Sequence, residues 1–244
     1  MFMTTKGILF DLYGTLIDIE TDESKEEIYR SISRFLTYQG INLRRHALRD
    51  LYYRIMEQQK QESSEQHPEI NVEAIWDTLL ARQGITSQRM RYRLRRYLAQ
   101  LYRGLSLKRL KRYPNVKLVL NTLRHTYQMA IVSDAQPCFA CPEIRTAKLE
   151  GYFDPVIISA DYGFRKPDPR MIWQALEKMG LAPQEVIFVG NDMYRDISCA
   201  SQLGIKTIFI ASNSGIQAYP DVVPDYVITQ FKDLLAAVKS LRQD

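Results

Sequence analysis

The sequence predicts an α/β protein: a parallel-sheet core with helices on both faces, into which a small all-α domain is inserted. Three observations predict it. In the second half of the chain, short apolar runs of strand length alternate with segments of helical spacing, the pattern of a parallel sheet covered on both sides. One further apolar run, "GILFD", stands alone near the N-terminus and can bury itself only by joining that sheet. Between the two, over residues 22–105, apolar residues recur at helical spacing and no strand pattern occurs.

The first strand runs over 6–11. Four helical stripes follow: Ile28, Ile32, Phe35 and Leu36; Leu48, Leu51, Tyr52, Ile55 and Met56; Val72, Ile75, Trp76, Leu79 and Leu80; Leu94, Tyr97, Leu98 and Leu101. Gly40 and Gly84 punctuate them as helix stops, since glycine takes the left-handed terminal conformation without a Cβ penalty. "ESSEQHPEI" at 62–70 is a loop. After Tyr113-Pro114 come a helix over 115–126 and strands over 128–134, 154–159, 185–192, 205–211 and 225–229. Helices over 137–150, 168–180, 193–203 and 230–242 complete the alternation. The division that follows is a Rossmann-like core of 1–17 with 110–244, and a helical domain of 18–109.

The 244 residues suffice for such a core plus an insertion, and the 45% hydrophobic content can fill both. No apolar run approaches a membrane span. The first residues lack an extended apolar stretch and a cleavage site, so a cytoplasmic location is expected. Cys138, Cys141 and Cys199 are too few and too odd in number for a disulfide framework. "CFAC" has no second ligand pair, which leaves ordinary thiols. The net charge of +5 is unevenly spread: residues 82–117 carry Lys and Arg but no acid, and 18–27 are acidic. The basic stretch reads as a solvated helix face backed by Tyr92, Leu94, Tyr97, Leu98, Leu101 and Tyr102, with no nucleic-acid motif beside it. His46, His67 and His125 show no metal-ligand spacing.

In an open parallel sheet, ligands bind beyond the carboxyl ends of the strands. There stand Asp11, Ser133-Asp134, Lys166 within "FRKPDP", Gly190-Asn191-Asp192, and Asp196 one helical turn on. Each has an ordinary structural reading alone: a turn cap for Asp11, a helix N-cap for Asp192, a surface amine for Lys166. Such accidents at one sheet edge are not expected together.

In order and placement, "DLYGTL", "VSD", "KPDP" and "GND" followed by Asp196 resemble the four motifs of the haloacid dehalogenase superfamily of hydrolases. The resemblance covers the whole chain, with the helical insertion looking like that family's α-helical cap. It implies Asp11 as a nucleophile that splits hydrolysis into two displacements through a covalent aspartyl intermediate. It implies Lys166 and a Mg2+ ion to offset the repulsion between a carboxylate and a phosphate. The metal would be held by Asp11, the backbone carbonyl of Tyr13 and Asp192, with Asp196 completing the shell or orienting Lys166. Gly14, Thr15, Ser133, Asp134 and Asn191 would bind a small anionic substrate. The family often has an acid directly after the glycine of the fourth motif, where this chain has Asn191. Asp192 is favoured as the ligand, with Asn191 as a weaker neutral alternative.

Tyr13 is the other departure. The family's ordinary phosphatases carry there an aspartate that protonates the leaving oxygen and activates water. With an ordinary pKa near 10, a tyrosine is a poor base at neutral pH. The family's metal-free 2-haloacid dehalogenases resemble this chain at that position, since halide leaves without a proton. They differ at the fourth motif, and their tyrosine six residues beyond the lysine is Ile172 here. The expectation is therefore a Mg2+-dependent phosphatase with Asp11, Tyr13 and Lys166 in the catalytic site. A haloacid dehalogenase and a catalytically idle binding protein are the alternatives. Substrate identity and oligomeric state stay open.

Overall fold

The computed structural model describes residues 4–241. In chain order, β1 (Gly7–Phe10) and β2 (Ile17–Thr21) precede four helices, α1 (Glu26–Tyr38), α2 (Arg45–Glu62), α3 (Val72–Arg82) and α4 (Gln88–Ser106). Next come β3 (Leu107–Arg112), α5 (Val116–Leu123), β4 (Gln128–Ser133), α6 (Pro137–Thr146), β5 (Val156–Ile158) and α7 (Arg170–Met179). The chain continues with β6 (Val186–Gly190), a π-helical turn (Met193–Ser198) leading into α8 (Cys199–Ser201), β7 (Lys206–Ile210), β8 (Tyr226–Ile228) and α9 (Leu234–Leu241).

Six strands form one parallel sheet in the order β5-β4-β1-β6-β7-β8. Side chains alternate across a strand, so one strand supplies two cores. Ile8 and Phe10 of β1 enter the core under α5, α6 and α9, while Leu9 enters the core under α7 and α8. β1 lies between β4 and β6, which brings the ends of three motif-bearing strands together.

The four predicted helices of the insertion pack around Trp76, which is fully buried with its indole 4.9 Å from the Tyr52 ring. Tyr102 stacks on Tyr52 at 5.1 Å. The basic face of α4 corrects one expectation. Leu94, Leu98 and Tyr102 are buried, but Tyr92 and Tyr97 point outward with the arginines. All three thiols are free, Cys138 and Cys199 buried and Cys141 exposed.

The sequence reading contains no strands at the edges of the insertion, yet β2 and β3 pair there as an antiparallel ribbon. Their charges explain the uneven sequence: Arg109 pairs with Asp18 and Glu20, each at 2.8 Å, and Lys108 with Asp22 at 3.0 Å. The acidic ingoing segment and the basic outgoing one neutralise each other across the ribbon. A second link lies on the far side, where Pro68 bridges Phe164 and the Arg165 N–H donates to the His67 carbonyl at 3.0 Å. Among the described residues, no helix is long and apolar enough to cross a membrane.

Trp76→Ala is expected to cost about 3–5 kcal/mol of stability, because it removes the largest buried side chain of the helical core. Leu118→Ala, at a position 66% exposed, is expected to stay within about 0.5 kcal/mol of wild type. Urea denaturation of both variants checks the pair.

Candidate active site

The first strand carries Asp11 to the sheet edge, and the turn behind it is built from backbone bonds, with Gly14 N–H donating to the Ile17 carbonyl at 2.8 Å. Gly14 sits at φ 89°, and a Cβ there would lie 2.3 Å from Asn191 Nδ2. A side chain is therefore excluded on two grounds, conformation and space. Thr15 Oγ1 lies 3.2 Å from Asp11 Oδ2 and 3.1 Å from Asn191 Oδ1, joining the first and fourth motifs.

Lys166 is 2% exposed, and its ammonium is fully partnered. Nζ donates to Asp11 Oδ1 at 2.8 Å, to Asp196 Oδ1 at 2.6 Å and to the Val132 carbonyl at 3.0 Å. Burial alone would lower the Lys166 pKa, but Asp11 and Asp196 outweigh it and hold it above the ordinary lysine range. Asp196 is raised by burial against the pull of Lys166. Its second oxygen accepts the N–H groups of Asn191 and Asp192, both at 3.0 Å. Gly190 makes this possible, since a Cβ there would meet the Asp196 side chain at 2.5 Å.

Asp192 was expected as the metal carboxylate, with a helix N-cap as its ordinary structural reading, and both its oxygens have protein partners. Oδ1 accepts the N–H groups of Tyr194 at 3.0 Å and Arg195 at 2.8 Å, capping the π-helical turn. Oδ2 accepts Arg195 Nε at 2.9 Å and Ile216 N–H at 3.0 Å. Burial works against its charge, but these donors prevail and keep its pKa below the usual carboxylate range. Asn191 is linked to Asp11 through Thr15 Oγ1. Its Nδ2 donates to Ser212 Oγ at 3.1 Å and the Ser214 carbonyl at 2.9 Å, which turns Oδ1 toward Thr15. Nothing in the sequence marked the serine loop at 212–214 for this task.

Tyr13, expected in the catalytic site, has its own partners. Its hydroxyl is donated to Glu143 Oε2, and Glu143 also takes Arg103 Nε at 2.6 Å. Burial and the facing Glu143 charge raise the Tyr13 pKa, so the phenol stays neutral and is not a free acid or base. Glu143 and Arg103 were missed because they lie 130 and 90 positions from Tyr13 in the chain.

Ser133, at the end of β4, has a buried hydroxyl with no hydrogen-bond partner. Asp134 holds the loop that carries Lys166 by accepting the Lys166 N–H at 2.9 Å through Oδ1. Its Oδ2 has no hydrogen-bond partner, with Arg195 Nη1 at 3.8 Å. A cavity of about 510 Å³ opens beside these groups, walled by Tyr13, Asp134 and Arg195 on the sheet side and by Tyr52, Tyr102 and Arg103 from the insertion. Among the described residues, no three His, Cys, Asp or Glu side chains gather into a metal-holding group. Asp11 and Asn191, linked through Thr15 Oγ1, offer one carboxylate and one amide oxygen, a donor set that suits a hard cation keeping most of its water, which is the habit of Mg2+.

With that geometry in hand, comparison with known proteins is direct. The profile of the haloacid dehalogenase-like hydrolases matches residues 8–210. The chain belongs to this family. It is 26% identical over 230 residues to a glyceraldehyde 3-phosphate phosphatase of Methanopyrus kandleri, covering 93% of this chain and 85% of that one. The fold is that of a HAD phosphatase from Thermococcus onnurineus (TM-score 0.61, 22% identity, 98% and 100% of the two chains). It is equally that of a 2-haloacid dehalogenase from Pseudomonas syringae (TM-score 0.66, 19% identity, 97% and 99%).

Asp192→Ala is expected to cost roughly 1–3 kcal/mol at neutral pH through the lost cap and the unpaired guanidinium. The native Asp192 pKa is depressed, so its contribution is present above the unfolded value near 3.9 and is lost as pH falls through the native value. Denaturation at pH 7 and pH 3 should therefore show the gap between variant and wild type closing in acid.

Proposed function

We propose that this protein is a Mg2+-dependent phosphomonoester hydrolase acting on a small phosphorylated metabolite. The observation that carries the reading is Asp11 at the sheet edge, paired with a buried ammonium and flanked by the partnerless hydroxyl of Ser133. The phosphatase named among its relatives supports the same chemistry.

In this reading one oxygen of the Asp11 carboxylate attacks phosphorus while the other stays with its cationic partners, and the ester oxygen leaves, forming an aspartyl phosphate. Water then attacks phosphorus, releasing phosphate and restoring Asp11. Lys166 balances the anionic charge between nucleophile and phosphate, and Ser133 Oγ and the turn at Gly14-Thr15 donate to the phosphoryl oxygens. Asp11, Asn191 and the Tyr13 carbonyl would hold Mg2+, which supplies further stabilisation of the developing charge. Asp134 and Glu69 line the cavity with carboxyls whose pKa burial raises above the ordinary range. The helical domain of 18–109 acts as a cap that excludes water and sets the substrate.

One observation favours a second reading, metal-free haloacid dehalogenation. Asp196 is compensated by Lys166 and Asp192 by Arg195, so no acid beside Asp11 requires a metal. Tyr13 points the same way.

A parallel assay separates the two. Purified protein is offered p-nitrophenyl phosphate or L-2-chloropropionate, each with Mg2+ or EDTA. Phosphate release that EDTA abolishes is expected, and Asp11→Asn should remove it by at least about 10²-fold. Halide release insensitive to EDTA would replace the proposal with the dehalogenase. Mg2+ should also raise the wild-type melting temperature, because it binds only the native site. Asp192→Ala should keep that shift and Asn191→Ala should lose most of it; the reverse would return the metal to Asp192.

A further inference from the structure

Tyr13, Glu143 and Arg103 come from three separate parts of the molecule. Tyr13 lies in the turn that carries Asp11, two residues after it. Glu143 lies on α6, which follows β4. Arg103 lies in the last turn of α4, where the insertion returns toward the ribbon. Glu143 is the hub: it takes Tyr13 OH and Arg103 Nη2 (3.4 Å) on Oε2, and Arg103 Nε (2.6 Å) on Oε1. Its side chain is 6% exposed and that of Arg103 17%. The guanidinium also lies 5.7 Å from the centre of the Tyr13 ring and 5.0 Å from that of Phe139. Phe139 belongs to α6 yet packs in the core of the helical insertion.

A buried charge pair tolerates little displacement, because separating its members leaves each desolvated and unpaired. An arginine fork on a carboxylate adds directional demand. Helix α4 therefore cannot shift relative to α6 without exposing or orphaning Glu143, and Glu143 cannot shift without releasing the Tyr13 hydroxyl. An aspartate at 13 would set a second carboxylate against Glu143, whereas a phenol supplies a neutral donor.

We infer that Tyr13 is a positioning residue: through Glu143 and Arg103 it couples the seating of the helical insertion to the alignment of the turn that carries Asp11. The kinetic part of the test rests on the phosphatase reading, while the exchange part does not. Amide hydrogen exchange is followed in wild type, Tyr13→Phe, Glu143→Gln, Arg103→Met and Arg103→Lys, each first checked for native circular dichroism. Tyr13→Phe keeps the ring and is the mildest change, so it preserves the test if a charge variant fails to fold. Amides of residues 12–17 and of 100–112 should exchange about tenfold faster together in Tyr13→Phe, Glu143→Gln and Arg103→Met. Arg103→Lys should recover part of the protection.

With p-nitrophenyl phosphate, Tyr13→Phe and Arg103→Met should each lower kcat/KM about tenfold. The double variant should be no more than about twofold worse than the poorer single, because both cut one linkage. Loosening confined to the mutated segment, or a double variant whose loss is the product of the two single losses, overturns the inference. If wild type hydrolyses no phosphate ester, the phosphatase reading fails and the exchange pattern alone decides the coupling.

Discussion

The buried ammonium of Lys166 is the constraint around which the site is arranged. An ammonium has three donors and no acceptor, and removing it from water is costly unless every donor finds an oxygen. Here the three oxygens belong to Asp11 at the end of β1, Val132 in β4 and Asp196 beyond β6. One charge thus fixes three neighbouring strands at their carboxyl ends. It also fixes which way Asp11 faces, since Oδ1 is spent on Lys166 and Oδ2 is the oxygen left toward Thr15 and Asn191. Asp196 can reach Lys166 only from beneath the chain at residue 190, which must lack a Cβ. The glycine of the fourth motif is in this sense a consequence of the lysine of the third.

The same logic shows what the sequence could and could not disclose. All six strands of the main sheet were legible because a parallel sheet buried on both faces writes itself as short apolar runs. The convergence of Asp11, Lys166 and Asp196 was legible because strand ends are topologically fixed. The N-cap reading of Asp192 was legible too, but the sequence could not separate a cap from a metal ligand, because one residue type serves both and only side-chain direction tells them apart. The ribbon of β2 and β3 escaped because it is stabilised by complementary charge on two polar strands and leaves little hydrophobic alternation to read. Tyr13 was flagged as unusual, but its partners lie on other elements, and no local pattern predicts a contact made across 130 residues.

Charge compensation recurs at each place where the insertion meets the sheet domain. Acid and base face each other along the ribbon. Glu143 and Arg103 meet between α6 and α4. On the far side Arg170 pairs with Glu65 of the loop that bridges Phe164. The first is half-exposed and adds modest rigidity, as pairs near the surface generally do. The second is buried and directional, so its contribution is to specify one arrangement more than to add net stability. The net positive charge of the chain thus says little about its ligand, because much of the basic stretch already answers acids within the same molecule.

The neutral Asn191 beside Asp11 changes the electrostatics of the candidate metal site in a definite direction. Two carboxylates facing each other would repel and require a cation for their own stability. One carboxylate and an amide oxygen carry half that charge, and the amide is already oriented by the serine loop. In the proposed reading, such a site would need no metal for its own stability, would hold Mg2+ more weakly, and would leave Asp11 less encumbered as a nucleophile toward an anionic ester. Under the proposed phosphatase reading, the same chemistry would proceed from a lower local charge, with Lys166 supplying a larger share of the compensation that the metal would otherwise carry.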